Sequence, residues 1–99
     1  MTINKTEENG AVILALEGRL DTTTAPELEA VLLPVLDDCG ELNMDFEKLD
    51  YLSSAGLRVL LAGQKKANKL RKTLVLQNVN ETIMEVFEMT GFADILTIE

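Results

Sequence analysis

The sequence has no histidine and a single cysteine among its 99 residues. Without histidine, Ser-His and Cys-His nucleophilic catalysis are excluded, as are most zinc sites. The lone thiol of Cys39 cannot close an internal disulfide, so nothing requires an oxidising compartment. No stretch approaches the roughly 20 apolar residues of a membrane span. Met1-Thr2-Ile3-Asn4 lacks the basic-then-apolar layout of a signal peptide, and a cytoplasmic protein is expected. Neither G-x-x-x-x-G-K-[ST] nor G-x-G-x-x-G occurs, which removes the usual phosphate loop and the dinucleotide fingerprint. Bases are scarce: nine Lys and Arg stand against seventeen Asp and Glu, for a formal net charge of −8 and a pI near 4.4. Nucleic-acid binding needs a cationic footprint, so that class is disfavoured. These absences describe a binding module rather than an enzyme.

What remains is the composition of one globular domain, 46% hydrophobic and 26% charged. A chain of this size buries about 65% of its unfolded surface, enough for a core without metal or disulfide. The charge is uneven: residues 1–50 hold twelve acids and three bases, residues 51–99 five acids and six bases. Five of the nine bases fall between Lys65 and Lys72. That run suits either a basic docking patch or a helix C-terminus whose lysines answer the macrodipole.

Ala11 to Leu16 is a short apolar run closed by Glu17-Gly18 and reads as a buried strand. Thr2 to Glu8 can pair with it across Asn9-Gly10, a strong hairpin signal. Thr24-Ala25-Pro26-Glu27 opens a helix as a capping box with proline in its first turn. Leu28, Val31, Leu32 and Val35 give that helix an apolar stripe, Pro34 disturbs it, and Cys39-Gly40 ends it. Leu42 to Phe46 alternates as a strand, and a second helix is expected from about Ser54 to Leu70. Thr73 to Leu76 is another compact strand, and Asn78-Val79-Asn80-Glu81 starts a helix that Gly91 stops. A last short strand is expected at Ile95 to Ile98. Met84, Met89 and Phe92 are expected in the core. The alternation of elements predicts an α/β fold, helices packed on a small mixed sheet.

The helix starts differ. Glu27 and Glu81 place a carboxylate in the first turn of two helices, answering the positive end of the dipole. The other begins Ser53-Ser54-Ala55-Gly56-Leu57-Arg58, with no acid and with a glycine that costs roughly 1 kcal/mol of helix propensity. Two hydroxyls at a helix N-terminus suit a phosphate, and they equally suit ordinary N-capping. Around the same helix, Ala55, Val59 and Ala62 extend the apolar stripe of Leu57, Leu60 and Leu61. Deep burial and a partner-binding strip both explain this.

Gly18-Arg19-Leu20-Asp21, Ala25-Pro26-Glu27-Leu28 and the stretch from Leu49 through Ser53-Ser54-Ala55-Gly56-Leu57 to Leu60 resemble the STAS domain family. The closer resemblance is to the stand-alone bacterial anti-sigma factor antagonists, and it covers essentially the whole chain. It implies a sheet with helices largely on one face. It further implies that Ser54 is phosphorylated by a partner that is both serine kinase and anti-sigma factor. The unphosphorylated form would bind that partner and free the sigma factor, and a serine phosphatase would restore binding. Nucleotide and magnesium would belong to the kinase, so this chain needs no cofactor. Where many such proteins have aspartate before the acceptor, this one has Ser53, a second candidate acceptor. Where many have serine or threonine after it, this one has Ala55.

The expected partner surface comprises Asp21, Thr22, Thr23, Asp50, Tyr51, Leu52, Ser53, Ala55, Gly56, Leu57 and Arg58, with Lys48 to Leu52 as the loop presenting Ser54. Asp21, Glu47 and Asp50 are expected to supply negative charge near that serine. Asp21 is either a turn aspartate bonding its own backbone or a group that orients the serine or the partner. Two further readings stand beside the switch: a constitutive scaffold in a signalling or transport complex, and a carboxylate-based hydrolase using Asp21, Asp45, Glu47 or Asp50.

Overall fold

A computed structural model describes residues 1–99. Strands β1 (Thr2–Glu8) and β2 (Ala11–Leu20) form an antiparallel hairpin whose turn residues, Asn9 and Gly10, have φ of 53° and 85°. Two consecutive positive φ values match the twist of the flanking strands, which is why Asn-Gly works here. Helix α1 (Ala25–Asp38) leads to β3 (Glu41–Leu52), and α2 (Ser54–Leu70) leads to β4 (Thr73–Gln77). β2, β3 and β4 are parallel neighbours, giving a four-stranded mixed sheet in the order β1-β2-β3-β4. Helix α3 (Glu81–Thr90) and a short 3₁₀ turn at Phe92–Asp94 follow.

The core lies between one face of the sheet and the helices. Along β2 the even positions Val12, Leu14, Leu16 and Leu20 are buried, while Ala11, Ile13 and Ala15 are only partly covered. The buried side chains meet Leu28, Leu32 and Leu36 of α1, Leu57 and Leu60 of α2, and Ile83 and Phe87 of α3 in one cluster of 24 residues. No helix is long and apolar enough to cross a membrane.

Two bases of the lysine run, Lys66 and Lys72, belong to this packing, while Lys65, Lys69 and Arg71 are exposed. α1 has no base in its last turn. Instead Lys66 donates to the Leu33 carbonyl at 2.6 Å and pairs with Asp37 at 3.0 Å, and Lys72 donates to the Cys39 carbonyl at 2.7 Å. α2 and the turn after it thus supply the cations that the negative end of α1 favours. Cys39 is buried, and burial raises its thiol pKa in spite of the nearby Lys72 ammonium.

Four expectations are corrected. Thr24 stands at the start of α1 but makes no cap bond, because its hydroxyl turns backward, donating to the Arg19 carbonyl and accepting from the Asp21 N–H. The capping box with Glu27 therefore does not form. Ile95 to Ile98 is no strand: after the 3₁₀ turn only Ile98 bridges to Leu76, held by two backbone bonds at 2.9 Å. Met89 is 85% exposed rather than in the core, while Met84 and Phe92 are partly buried against it. The segment Lys48 to Leu52 is strand, not loop.

That last difference has a physical cause. In β3 the buried residues are Leu42, Met44, Phe46, Leu49 and Leu52, a spacing that changes from two to three. The register against β2 slips twice, between Ala15 and Glu17 and between Gly18 and Arg19, each time with one extra residue in β3. Two β-bulges thus hide the strand's alternation while keeping it paired to its end.

Candidate functional site

The carboxyl ends of the parallel strands β2 and β3 converge on the N-terminus of α2, the edge where parallel α/β sheets commonly place their sites. Arg19 pairs with Tyr51 and Leu20 with Leu52 in the ladder. The chain then turns into α2, tied to β2 by the Ser53 N–H, which donates to the Leu20 carbonyl at 2.9 Å. Gly56 completes the junction. A Cβ on it would stand 2.7 Å from both Leu20 Cγ and Leu52 Cδ1, so only glycine lets the first turn of α2 sit this close to the strand ends.

The two serines separate cleanly. Ser53 is the N-cap, with extended backbone, and its hydroxyl accepts from the Gly56 N–H at 3.3 Å. Ser54 is the first helical residue, is exposed, and its hydroxyl has no hydrogen-bond partner in the protein. Capping therefore does not account for Ser54.

The flanking turn is built on Asp21. Its Oδ1 accepts from the Thr23 hydroxyl at 2.7 Å, the Thr23 N–H at 3.0 Å and the Thr24 N–H at 3.1 Å. The Thr23 hydroxyl, and then the Thr24 backbone, bring its pKa from an ordinary 3.8 to about 2. Of its two readings the turn aspartate is the one with bonds behind it, and no bond joins Asp21 to Ser54. Thr22 and Thr23 are exposed at the turn. On the sheet side, the Arg19 guanidinium lies 4.1 Å from the centroid of the Tyr51 ring and 3.7 Å from Asp21. Tyr51 is 41% exposed, and this stacked pair borders the site.

The expected surface divides into two groups. Asp50, Tyr51, Ser54 and Arg58 are exposed, and Ser53 and Ala55 are partly so. Leu52, Gly56 and Leu57 are buried beneath them and hold the surface in place. Val59 is buried as well and Ala55 packs partly against the core, while Ala62 is only partly covered. Arg19 belongs to the Gly18-Arg19-Leu20-Asp21 motif but lies outside the expected surface; only its pairing with Tyr51 across the ladder marks it. Glu47 lies away from Ser54, in a cleft of about 190 Å³ with Asn4, Glu17, Asp45 and Lys48. That is below the usual size of a ligand pocket. Asp45 there accepts from the Glu47 N–H and from Asn78 Nδ2, fixing the first bulge.

The family model described as "Mlab, STAS domain" matches residues 3–97. The chain belongs to the STAS domain family. This STAS domain is 36% identical to a Bordetella bronchiseptica protein named as an anti-sigma factor antagonist, BtrV, over 99% of this chain and 85% of that one. It is 30% identical to the anti-sigma-B factor antagonist of Staphylococcus aureus, over 99% and 92% of the two chains. Among solved structures, an anti-sigma factor antagonist from Mycobacterium paratuberculosis superposes with a TM-score of 0.88 at 23% identity, covering 98% and 83%. Phosphorylated SpoIIAA from Bacillus gives 0.78 at 18% identity, covering 99% and 91%. The mixed sheet with its three helices is the STAS fold of these neighbours.

Proposed function

We propose that this STAS domain is an anti-sigma factor antagonist switched by phosphorylation of Ser54. In this reading the unphosphorylated domain binds an anti-sigma factor that is also a serine kinase, and so releases the sigma factor in the cytoplasm. The kinase transfers the terminal phosphoryl group of its own nucleotide to Ser54 Oγ, leaving the nucleoside diphosphate and a proton. A serine phosphatase hydrolyses the ester and restores binding. The observation that carries the reading is the free, exposed hydroxyl of Ser54 beside a serine that already does the capping. The curated relatives, named as anti-sigma factor antagonists over nearly the whole chain, support the choice of partner.

The physical switch is local. Phosphoserine adds about −1.5 to −2 charge and three acceptor oxygens. A partner docked over α2 would have to strip water from that dianion, a cost that direct contact does not repay without new cations. The helix itself tolerates the change, because its first-turn N–H groups and dipole favour negative charge and no acid competes there.

The test is partner capture from the source lysate on immobilised wild-type, Ser54→Ala and Ser54→Asp protein. The proposal expects a serine-kinase-like anti-sigma factor held by the first two and lost by the third. The same partners on all three baits would instead favour a constitutive scaffold.

A further inference from the structure

Arg58 is the only base between Ser54 and Gln64, and it is exposed. Arg19, the other base bordering the site, is engaged: it stacks on Tyr51 and pairs with Asp21. The three ion pairs of the molecule are Lys5–Glu7, Arg19–Asp21 and Lys66–Asp37, and none uses Arg58. Nor does Arg58 have a competitor on its own helix. Its neighbours three and four residues away are Ser54, Ala55, Leu61 and Ala62, so Ser54 is the one polar group among them.

Geometry joins the pair. Residues four apart on a helix are surface neighbours with Cβ atoms roughly 5–6 Å apart. Helical side chains lean toward the N-terminus, so a long side chain covers the turn before its own Cα. For Arg58 that turn carries Ser54.

We infer that Arg58 is the internal receptor for the phosphate on Ser54, its guanidinium forming charge-assisted hydrogen bonds to the phosphate oxygens across one turn of α2. The inference rests on Ser54 being the modified residue. It adds a second element to the switch. Phosphorylation adds negative charge and also withdraws the one unpaired base of this helix start from the surface offered to a partner. Because a guanidinium fork fits a phosphate better than a single carboxylate, Ser54→Asp would supply only part of the added charge and not the full withdrawal of Arg58.

The experiment installs phosphoserine at position 54 of the full chain by codon reassignment and titrates it by phosphorus NMR. The same titration is made with Arg58→Ala and Arg58→Lys. The other charged groups at this end, Arg19, Asp21 and Asp50, are the same in all three chains, as is the helix dipole. The difference therefore reads Arg58 alone. The second ionisation, ordinarily near pH 6, should fall lower with Arg58 than with Arg58→Ala by about half a unit or more. Arg58→Lys should recover part of the shift. Equal midpoints in the Arg58 and Arg58→Ala chains would overturn the inference. Since the phosphate is installed directly, this result stands apart from partner capture: loss of one reading leaves the other measurement intact.

Discussion

The Ser53 hydroxyl accepts a hydrogen bond from the Gly56 N–H at 3.3 Å, and this bond frees the neighbouring Ser54 from any capping duty. Adjacent residues of the same type thus have different physical jobs, and stability measurements can separate them. Ser53→Ala should lower unfolding stability by about 1 kcal/mol, the usual value of a serine cap. Ser54→Ala should change it by less than about 0.5 kcal/mol, as expected for an exposed side chain without partners. Urea titration of the two variants checks both, and equal losses would contradict the division.

Gly56 opposes propensity to packing. Alanine in its place would gain roughly 1 kcal/mol of helix propensity. Its Cβ would meet Leu20 Cγ and Leu52 Cδ1 at 2.7 Å, and overpacking of this kind costs about 1–3 kcal/mol. Leu20 Cγ is a branch point and not a flexible tip, so the clash should win. Gly56→Ala is expected to be destabilising by about 1 kcal/mol net in a denaturant midpoint.

Asp21 makes stability depend on acid. Its folded pKa of about 2 lies below its ordinary 3.8, so the unfolded chain takes up the proton first as pH falls. Its contribution is complete above about pH 4 and is lost as pH falls through the folded value. Asp21→Asn should therefore be less stable than wild type at neutral pH, with the gap closing between about pH 4 and 2. Urea titrations at several pH values measure it; a constant gap would mean that the hydrogen bonds from Thr23 and Thr24 do not favour the ionised form.

Cys39 should be silent in the folded protein. Burial removes it from solvent and raises its pKa, so thiolate at neutral pH is scarce. Alkylation with iodoacetamide should be slow in buffer and rapid in denaturant, the folded rate following global opening. A fast folded-state reaction would show that the end of α1 frays despite Lys72.

The hairpin turn, the starts of the parallel strands and the limits of α2 were legible in the sequence, because their signals are local, although β2 runs past Glu17-Gly18 to Leu20. Asn9-Gly10 supports two positive φ values, Ala11 to Leu16 is apolar throughout, and Gly91 ends α3 in a left-handed turn. The second half of β3 was not legible. Its bulges arise from register against β2, which no pattern within Lys48 to Leu52 encodes. Likewise Ile95 and Ile98 have strand-forming side chains, yet the 3₁₀ turn before them leaves only Thr97 to Glu99 within reach of β4.

At the site, sequence alone marked an acid-free helix start with two serines and a motif that resembles the STAS family. By residue type both serines are good caps, and only the resemblance pointed to Ser54 as the acceptor. Tertiary structure gave the capping role to Ser53. The Ser53 N–H bonds Leu20 and Gly56 packs on Leu20 and Leu52, which together fix where the first turn begins and leave Ser54 and Arg58 facing water. Local signals determine which elements form; long-range register and packing decide which of their residues remain free to act.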